Sequence, residues 1–213
     1  MTNLFNSLLV VILMLNLFAL GASGIVSVIR TVAIQGALVA LLPLLSHDHP
    51  SPAVVVAILP AVALKGAVIP AMMRHALSSL RITREVEPLI GLRASVLLGA
   101  CGTVAALLFA DRLPLAAEHA GLLVVPAALA TVLTGFILLT TRFKGLTQVL
   151  GYLVLENGIF LFGLLLVGAM PLVIELGVLL DLFVAIFVIC IIVNHINRAF
   201  ASTDTRRLVS LKE

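Results

Sequence analysis

Three ionisable side chains, Lys65, Glu156 and Asp181, lie inside apolar runs of the sequence that are long enough to cross a membrane. A charge near the middle of a bilayer costs at least about 2.5–3.5 kcal/mol even on insertion scales. Burial favours the neutral form of both acids and amines, so such groups can take up and release protons. These residue types therefore predict a proton path. The alternative is a buried lysine–carboxylate pair that only fixes helix packing.

The spacing of the two acids predicts that they lie at a similar depth. Glu156 is about ten residues from one end of its run and Asp181 about nine from the end of the next, which places both roughly 14–15 Å deep in a core approximately 30 Å thick. The short turn at Met170 and Pro171 joins the two runs, so they are expected to be antiparallel neighbours. Two carboxyl groups held close together would titrate as a coupled pair.

Four further polar residues lie within apolar runs of the sequence. Gln35 is uncharged and central in its run, where it would either hydrogen-bond across helices or hold a water molecule, and we assign it to the candidate proton path. Glu175 lies near the outer end of its run, so it is either exposed at the membrane interface or accessory to the proton path. Arg30 and His195 lie near inner ends, where long side chains can extend to the membrane surface. We expect these last three residues to be accessory at most.

Metal and cofactor motifs are missing from the sequence. Cys101 and Cys190 lie in separate apolar runs and form no CxxC pair. His47 and His49 share a short loop that offers no third ligand nearby, so they predict no metal site. No phosphate-binding loop or hydrolase motif is present. We therefore expect no redox active site and no cofactor in this chain.

Composition identifies the environment of these residues. Of 213 residues, 62% are hydrophobic and 11% are charged, and the mean hydropathy is +1.27. A soluble domain carries about 25% charged residues to cover its surface, which excludes a soluble enzyme, a disordered tail and a nucleic-acid binder. The net charge of +3 comes from residues in loops and serves as a topology signal. The sequence predicts an all-α polytopic membrane protein.

Seven runs have the length of a membrane-spanning helix, roughly 20 residues each. They are Asn3–Ala22, Ile25–Leu45, Ala53–Leu77, Leu92–Ala110, Gly121–Thr141, Thr147–Ala169 and Leu172–Ile196. The first run has no basic residue before it, so we expect it to remain a helix rather than act as a signal peptide. With the N-terminus outside and the C-terminus cytoplasmic, every Lys and Arg except Lys65 and Arg112 falls on the inner side.

The runs divide into two groups. Residues 1–120 would form an N-terminal four-helix part and residues 121–198 a three-helix part, followed by a cytoplasmic tail over 199–213. Gln35 and Lys65 occupy positions that roughly match those of Glu156 and Asp181, so a parallel internal duplication is one interpretation.

The C-terminal part carries a family resemblance. Residues 151–163 read GYLVLENGIFLFG and residues 175–184 read ELGVLLDLFV. This pair of segments resembles component E of hydrogenase-4 and formate-hydrogenlyase complexes. It is also similar to the K-type subunit of respiratory complex I and to the C subunit of Mrp-type antiporters. In that wider family two acids on successive helices belong to a hydrophilic axis for protons, and Glu156 and Asp181 occupy their positions, although the K-type pattern has glutamate at the second.

The resemblance implies a non-catalytic membrane subunit of a group-four nickel–iron hydrogenase in a prokaryotic cytoplasmic (inner) membrane. The nickel–iron centre and iron–sulfur clusters would belong to soluble hydrogenase subunits, and antiporter-like and complex I-like membrane subunits would be further partners. Two alternatives remain open: a stand-alone proton-coupled secondary transporter, and a subunit of an Mrp-type cation/proton antiporter.

Overall fold

The computed structural model describes residues 2–46, 52–79, 86, 88–113 and 122–165. These residues form helices, and an isolated backbone bridge joins Pro88 and Arg142. The helices are α1 (Thr2–Gly21), α2 (Ile25–Ser46), α3 (Pro52–Ala63), a π-helical turn (Leu64–Val68), α4 (Ile69–Ser79), α5 (Leu92–Ala110), α6 (Val124–Thr141) and α7 (Gly145–Leu164). The all-α prediction is confirmed for this part of the chain.

Five helices, α1, α2, α5, α6 and α7, are long and apolar enough to cross a membrane. Apart from the C-terminal end of α7, their bounds agree with the predicted runs to within about three residues, and α6 begins at Val124 instead of Gly121. The predicted run Thr147–Ala169 continues past Leu164, where α7 ends, into residues outside the described part of the chain. The seventh predicted run, Leu172–Ile196, lies outside the described residues, so the count of seven stays a prediction.

The third predicted run, Ala53–Leu77, is helical but not regular along its length. The chain is helical from Pro52 to Ser79, but the π-helical turn interrupts it directly after α3. In this turn the Ile69 N–H bonds the Leu64 carbonyl five residues back. Pro70 has no N–H, so the α-helical ladder lacks one bond just after this turn. Lys65 lies within the π turn.

In the interior, a polar layer separates two apolar clusters. We call the end of the bundle that carries Arg30, Arg74, Arg93, Arg142 and Lys144 the basic end, and the opposite end the distal end. One cluster, near the basic end, includes Leu20, Ile29, Met73 and Leu150. The other, near the distal end, includes Leu9, Ile12, Leu42 and Leu161. Between them lie the buried polar residues Asn16, Gln35, Lys65, Thr131, Glu156 and Asn157.

Helices α6 and α7 approach each other closely because glycines line their contact. A Cβ atom added to Gly151 would lie 2.6 Å from the Leu139 backbone nitrogen, and one added to Gly158 would lie 2.6 Å from that of Val132. Gly135 on α6 faces the backbone of Leu155 in the same way. Small residues let helix backbones touch within a membrane. The close contact fixes the rotation of α7, and with it the position of Glu156.

Candidate functional site

The centre of the polar layer is an ion pair between Lys65 and Glu156. The Lys65 Nζ donates a hydrogen bond to the Glu156 Oε1 at 2.7 Å. The two side chains are 6% and 2% exposed. Two opposite charges at this distance and degree of burial attract each other far more strongly than in water, and this attraction opposes the cost of removing both from water. Lys65 and Glu156 form a buried ion pair inside the described bundle.

Two neighbours on α7 complete the surroundings of the lysine. The Asn157 Oδ1 accepts a second hydrogen bond from the Lys65 Nζ at 3.1 Å. The Phe160 ring centroid lies 5.4 Å from the same nitrogen, within the range of a cation–π contact. Three residues in one stretch of α7 therefore stabilise a positive charge on Lys65.

The glutamate is less completely satisfied than the lysine. Its second oxygen, Oε2, is buried and has no hydrogen-bond partner within the part of the chain that the structure describes. A buried carboxylate oxygen without a donor is costly. The Glu156 carboxyl group thus combines a bond from Lys65 at one oxygen with a second buried oxygen that no described group bonds.

The position of Lys65 depends on the π turn and on Gly36 of α2. A Cβ atom added to Gly36 would lie 3.0 Å from the Lys65 Cβ. The absence of a side chain at this position lets α2 and the π turn approach each other at the level of the ion pair. Single π-helical turns are frequent at functional sites because they turn one side chain out of register with its helix.

A narrow cleft with room for about one water molecule borders the ion pair. Lys65 and Asn157 lie at one end of it, whereas Glu156 is not among its lining residues. The remaining walls are mostly apolar and come from α2, α4 and α7. The cleft therefore reaches the carboxyl group only by way of the lysine and the neighbouring amide.

Gln35 belongs to a second polar network. Its Nε2 donates to the Asn16 Oδ1 at 2.6 Å, and the Asn16 Nδ2 donates to the Thr131 Oγ1 at 2.9 Å. The Thr131 hydroxyl in turn donates to the Ala127 carbonyl at 2.6 Å. This network joins α1, α2 and α6 and contains no ionisable group. Its hydrogen bonds hold three helices together, which matches the first of the two alternatives for Gln35, and none of them goes to Lys65 or Glu156.

Arg142 is a buried residue that the sequence analysis treated only as a loop charge. It is 1% exposed. Its Nη2 donates to the Leu20 carbonyl at 2.9 Å and its Nη1 to the Ser95 Oγ at 3.4 Å. The guanidinium thereby caps the C-terminal end of α1, where a cation is favourable, and ties it to the start of α5. Burial lowers the pKa of Arg142 below its ordinary value.

The other predicted site residues are separate from the ion pair or outside the described residues. Arg30 is exposed at the basic end, as its position near a helix end predicts. Asp181, Glu175 and His195 lie outside the described residues, and so do His47 and His49. The facing of Glu156 and Asp181 therefore stays a prediction. Among the residues that were placed, no group of His, Cys, Asp and Glu could hold a metal ion.

Sequence reasoning missed Asn16, Thr131, Asn157 and Arg142. The signal for Asn16 is present, because it interrupts an otherwise apolar run in the first helix. Asn157 directly follows Glu156, and it was taken only as part of the resemblance. The hydrogen-bond partners of these residues depend on which helices are neighbours, and the spacing of residues along the sequence does not determine that.

One curated relative shows the family. The uncharacterized protein Rv0085 of Mycobacterium tuberculosis is 34% identical to this chain over 194 residues, which cover 88% of this chain and 86% of the mycobacterial protein. The chain belongs to the Rv0085 family. No protein-family model matches the sequence. No solved structure matches it either. The alignment with the Rv0085 family spans nearly the whole chain, so it includes the helices that carry the ion pair.

Proposed function

We propose that this chain is a membrane subunit of an energy-conserving, group-four nickel–iron hydrogenase of the hydrogenase-4 or formate-hydrogenlyase type. In this role its buried charged residues form part of a proton-translocation path across a prokaryotic cytoplasmic membrane. The proposal rests on the resemblance of residues 151–163 and 175–184 to component E. It also rests on one structural observation, the buried Lys65–Glu156 pair.

The ion pair supports a role in proton transport because the transfer of one proton converts its charged form into its neutral form. If the Lys65 ammonium gives a proton to the Glu156 carboxylate across the 2.7 Å hydrogen bond, an amine and a carboxylic acid result. Net charge does not change, and both products are neutral, the form that a low-dielectric interior favours. The acid then releases its proton to the next acceptor, and the amine takes up a new one. Each cycle moves one proton past the pair.

The surroundings of the pair fit a relay better than a packing contact alone. A pair that only fixes helix packing is expected to satisfy every lone pair, because an unsatisfied buried oxygen costs stability. Here the Glu156 Oε2 is left without a described partner. We propose Asp181, from its place in the resemblance, as the next acid of the path. We give Gln35 the role of fixing the helices around it.

The chemistry of hydrogen formation would take place in other subunits. The nickel–iron centre and the iron–sulfur clusters are proposed to belong to soluble partners, and further antiporter-like and complex I-like membrane subunits would continue the path. The present chain would contribute no redox step. Electron transfer in the partners would change the electric field at the pair and so shift the balance between its two charge states.

Purification under mild conditions tests the assembly directly. The full chain, tagged at its chromosomal locus, is extracted with a gentle detergent, and nickel, iron and co-purifying chains are measured. We expect nickel and iron in fixed ratio to the chain, with hydrogen evolution from a chemical reductant. A chain that purifies alone, without nickel, and that moves a solute in liposomes would contradict the proposal and favour the stand-alone transporter. Sodium-dependent activity would favour the Mrp-type alternative.

A further inference from the structure

Two exposed arginines, Arg30 on α2 and Arg74 on α4, lie at the basic end of the bundle. The residues directly before them, Ile29 and Met73, are fully buried in the apolar cluster at that end. Because α2 and α4 pack against each other, both arginines lie on the outer surface of the same helix pair.

The contact between α2 and the π turn sets the relative height of the two arginines. A Cβ atom added to Gly66 would lie 3.4 Å from the Ala37 Cβ, so these two residues are at the same level. Arg30 is seven residues from Ala37 and Arg74 is eight residues from Gly66, both toward the basic end. At about 1.5 Å per residue, these steps span roughly 11 and 12 Å, which brings the two arginines to nearly the same level.

The same steps place both arginines at one edge of the helix pair. Seven residues are about two full turns of an α-helix, so Arg30 lies on the same stripe of α2 as Ala37. Gly66, Pro70 and Arg74 follow one another at intervals of four, so Arg74 lies on the stripe of Gly66. Because Ala37 and Gly66 are adjacent, the two arginines border one groove, which we call the α2–α4 groove.

The α2–α4 groove is apolar beyond the arginines. On α2, Ile34 and Leu41 share the stripe of Arg30 and are 53% and 37% exposed. On the other side of the groove the exposed residues Ala63 and Ala67 are small. Large side chains facing small ones leave a shallow apolar channel, which runs from the arginines toward the middle of the bundle.

The described residues supply no negative charge beside the two arginines. They include two acids, Glu156, which is paired with Lys65 in the polar layer, and Asp111, which follows α5 at the distal end. The outer surface at the basic end of the groove therefore carries two positive charges that no described carboxylate balances.

The depth of the arginines indicates which anion they meet. Ala37 lies near the middle of α2, so groups roughly 11–12 Å from its level lie a few Å inside the edge of a hydrocarbon core about 30 Å thick. A long arginine side chain reaches the headgroup layer from this depth. The anions of that layer are lipid phosphates, and the planar guanidinium group binds phosphate through two parallel hydrogen bonds.

We propose that the α2–α4 groove binds an anionic phospholipid. Its phosphate lies between Arg30 and Arg74, and one acyl chain lies along Ile34, Leu41 and Ala67. Anionic lipid is preferred over zwitterionic lipid because the groove presents two positive charges to the headgroup. The site rests on the described helices alone and does not depend on the complex to which the chain belongs.

Native mass spectrometry of the full chain in a neutral detergent tests the site. Phosphatidylglycerol or phosphatidylcholine is added, and the Kd of the first bound lipid is measured. We expect phosphatidylglycerol to bind about tenfold or more tightly, and Arg30→Gln combined with Arg74→Gln to abolish this preference, since each basic residue near an anionic lipid contributes to its binding.

The matched control is Arg93→Gln, which removes an exposed positive charge at the same end from α5, a helix that packs against α1 and α6. It should change the Kd by less than about twofold, because exposed charges that are far apart are screened. An equal loss in Arg93→Gln would refute the site and indicate diffuse attraction. A wild type without preference for phosphatidylglycerol would overturn the lipid, and a carboxylate of a partner protein would become the anion to test.

A second variant tests the acyl-chain part without changing any charge. Ala67→Phe fills the groove and should weaken phosphatidylglycerol binding about fourfold or more, the effect of displacing one buried CH₂ group. Ala105→Phe, at an exposed alanine of α5, is the control and should leave the Kd unchanged. An unchanged Kd in Ala67→Phe, or full competition by inorganic phosphate, would overturn the lipid site, because the arginines would then bind phosphate alone.

Discussion

Lys65 and Glu156 are 91 residues apart in the sequence, and their side chains are joined by a 2.7 Å hydrogen bond in the interior of the bundle. Each depends on a local irregularity or close contact for its position. Lys65 lies in a π turn opposite Gly36, and Glu156 lies on a helix that is fixed by glycine contacts to α6. The pair is therefore built by four helical segments rather than by chance contact of two flexible side chains.

The effects of substituting Lys65 and Glu156 on the free energy of unfolding should be strongly non-additive. Glu156→Leu leaves the Lys65 ammonium buried without its counter-charge, and breaking a buried pair in this way costs about 3–5 kcal/mol. Adding Lys65→Met should restore most of the loss, since replacing a whole buried pair by apolar side chains is often neutral. Unfolding of the purified chain in detergent, followed by circular dichroism, measures both variants.

The control is a double-mutant cycle that combines Lys65→Met with the exposed substitution Ser78→Ala. The effects of these two substitutions on the free energy of unfolding should be additive. If Glu156→Leu alone is as stable as the wild type, the two side chains do not form a buried pair in the membrane.

The glycine contact between α6 and α7 should tolerate no side chain. Gly151→Ala and Gly158→Ala each place a methyl group against the backbone of α6, and forced overpacking costs about 1–3 kcal/mol. Gly145→Ala is the matched control on the same helix, because a Cβ atom there meets nothing within 4 Å. Thermal unfolding should separate the first two variants from the third. Equal midpoints for all three would contradict the close contact.

The Asn16 network should contribute to stability and not to proton movement. Asn16→Leu removes two interhelical hydrogen bonds, and Thr131→Val removes one of them. Such bonds average about 0.6 kcal/mol each in a membrane protein, so the first variant should lose about twice as much as the second. Ser7→Ala, which removes an exposed bond within α1, is the control and should lose nothing measurable. A loss of proton movement without loss of stability in Asn16→Leu would contradict this assignment.

Arg142 should stabilise the basic end through the carbonyl that it caps. Arg142→Gln leaves the Leu20 carbonyl and the Ser95 hydroxyl without their donor, and we expect a loss of about 1–2 kcal/mol. Arg93→Gln, an exposed arginine at the same end, should change stability by less than about 0.5 kcal/mol.

The pH dependence of the Arg142 contribution follows from the sign of its shift. Burial lowers the pKa of Arg142 below its ordinary value, so folding disfavours the protonated form, and this cost would be lost only as pH rises from the folded-state pKa towards the ordinary one. An arginine in a protein remains protonated across the accessible range, so the difference between wild type and Arg142→Gln should be constant between about pH 6 and pH 9. A difference that changes within this range would point to another titrating group.

The sequence predicts most of the helices but not the contacts that join them. Apolar runs of the right length fix α1, α2 and α5 to within a residue or two, because length and hydropathy determine which segments enter a bilayer. The π turn was not predicted, because prolines also lie inside the regular α-helical segments α2 and α3. Lys65 and Glu156 were both selected as buried charges, and a lysine–carboxylate pair was one stated alternative. Their pairing was not predicted, since it depends on which faces of α2, α4 and α7 meet.

A variant that keeps its structure and loses its charges tests most directly whether the ion pair carries protons. Lys65→Met combined with Glu156→Leu is placed in the assembled complex, and proton movement into sealed inverted vesicles is measured per hydrogen molecule formed. We expect hydrogen formation to continue while proton movement falls to the level of uncoupled vesicles. Proton movement at the wild-type ratio in this variant would contradict the proposed relay, and the pair would then serve only to hold the helices together.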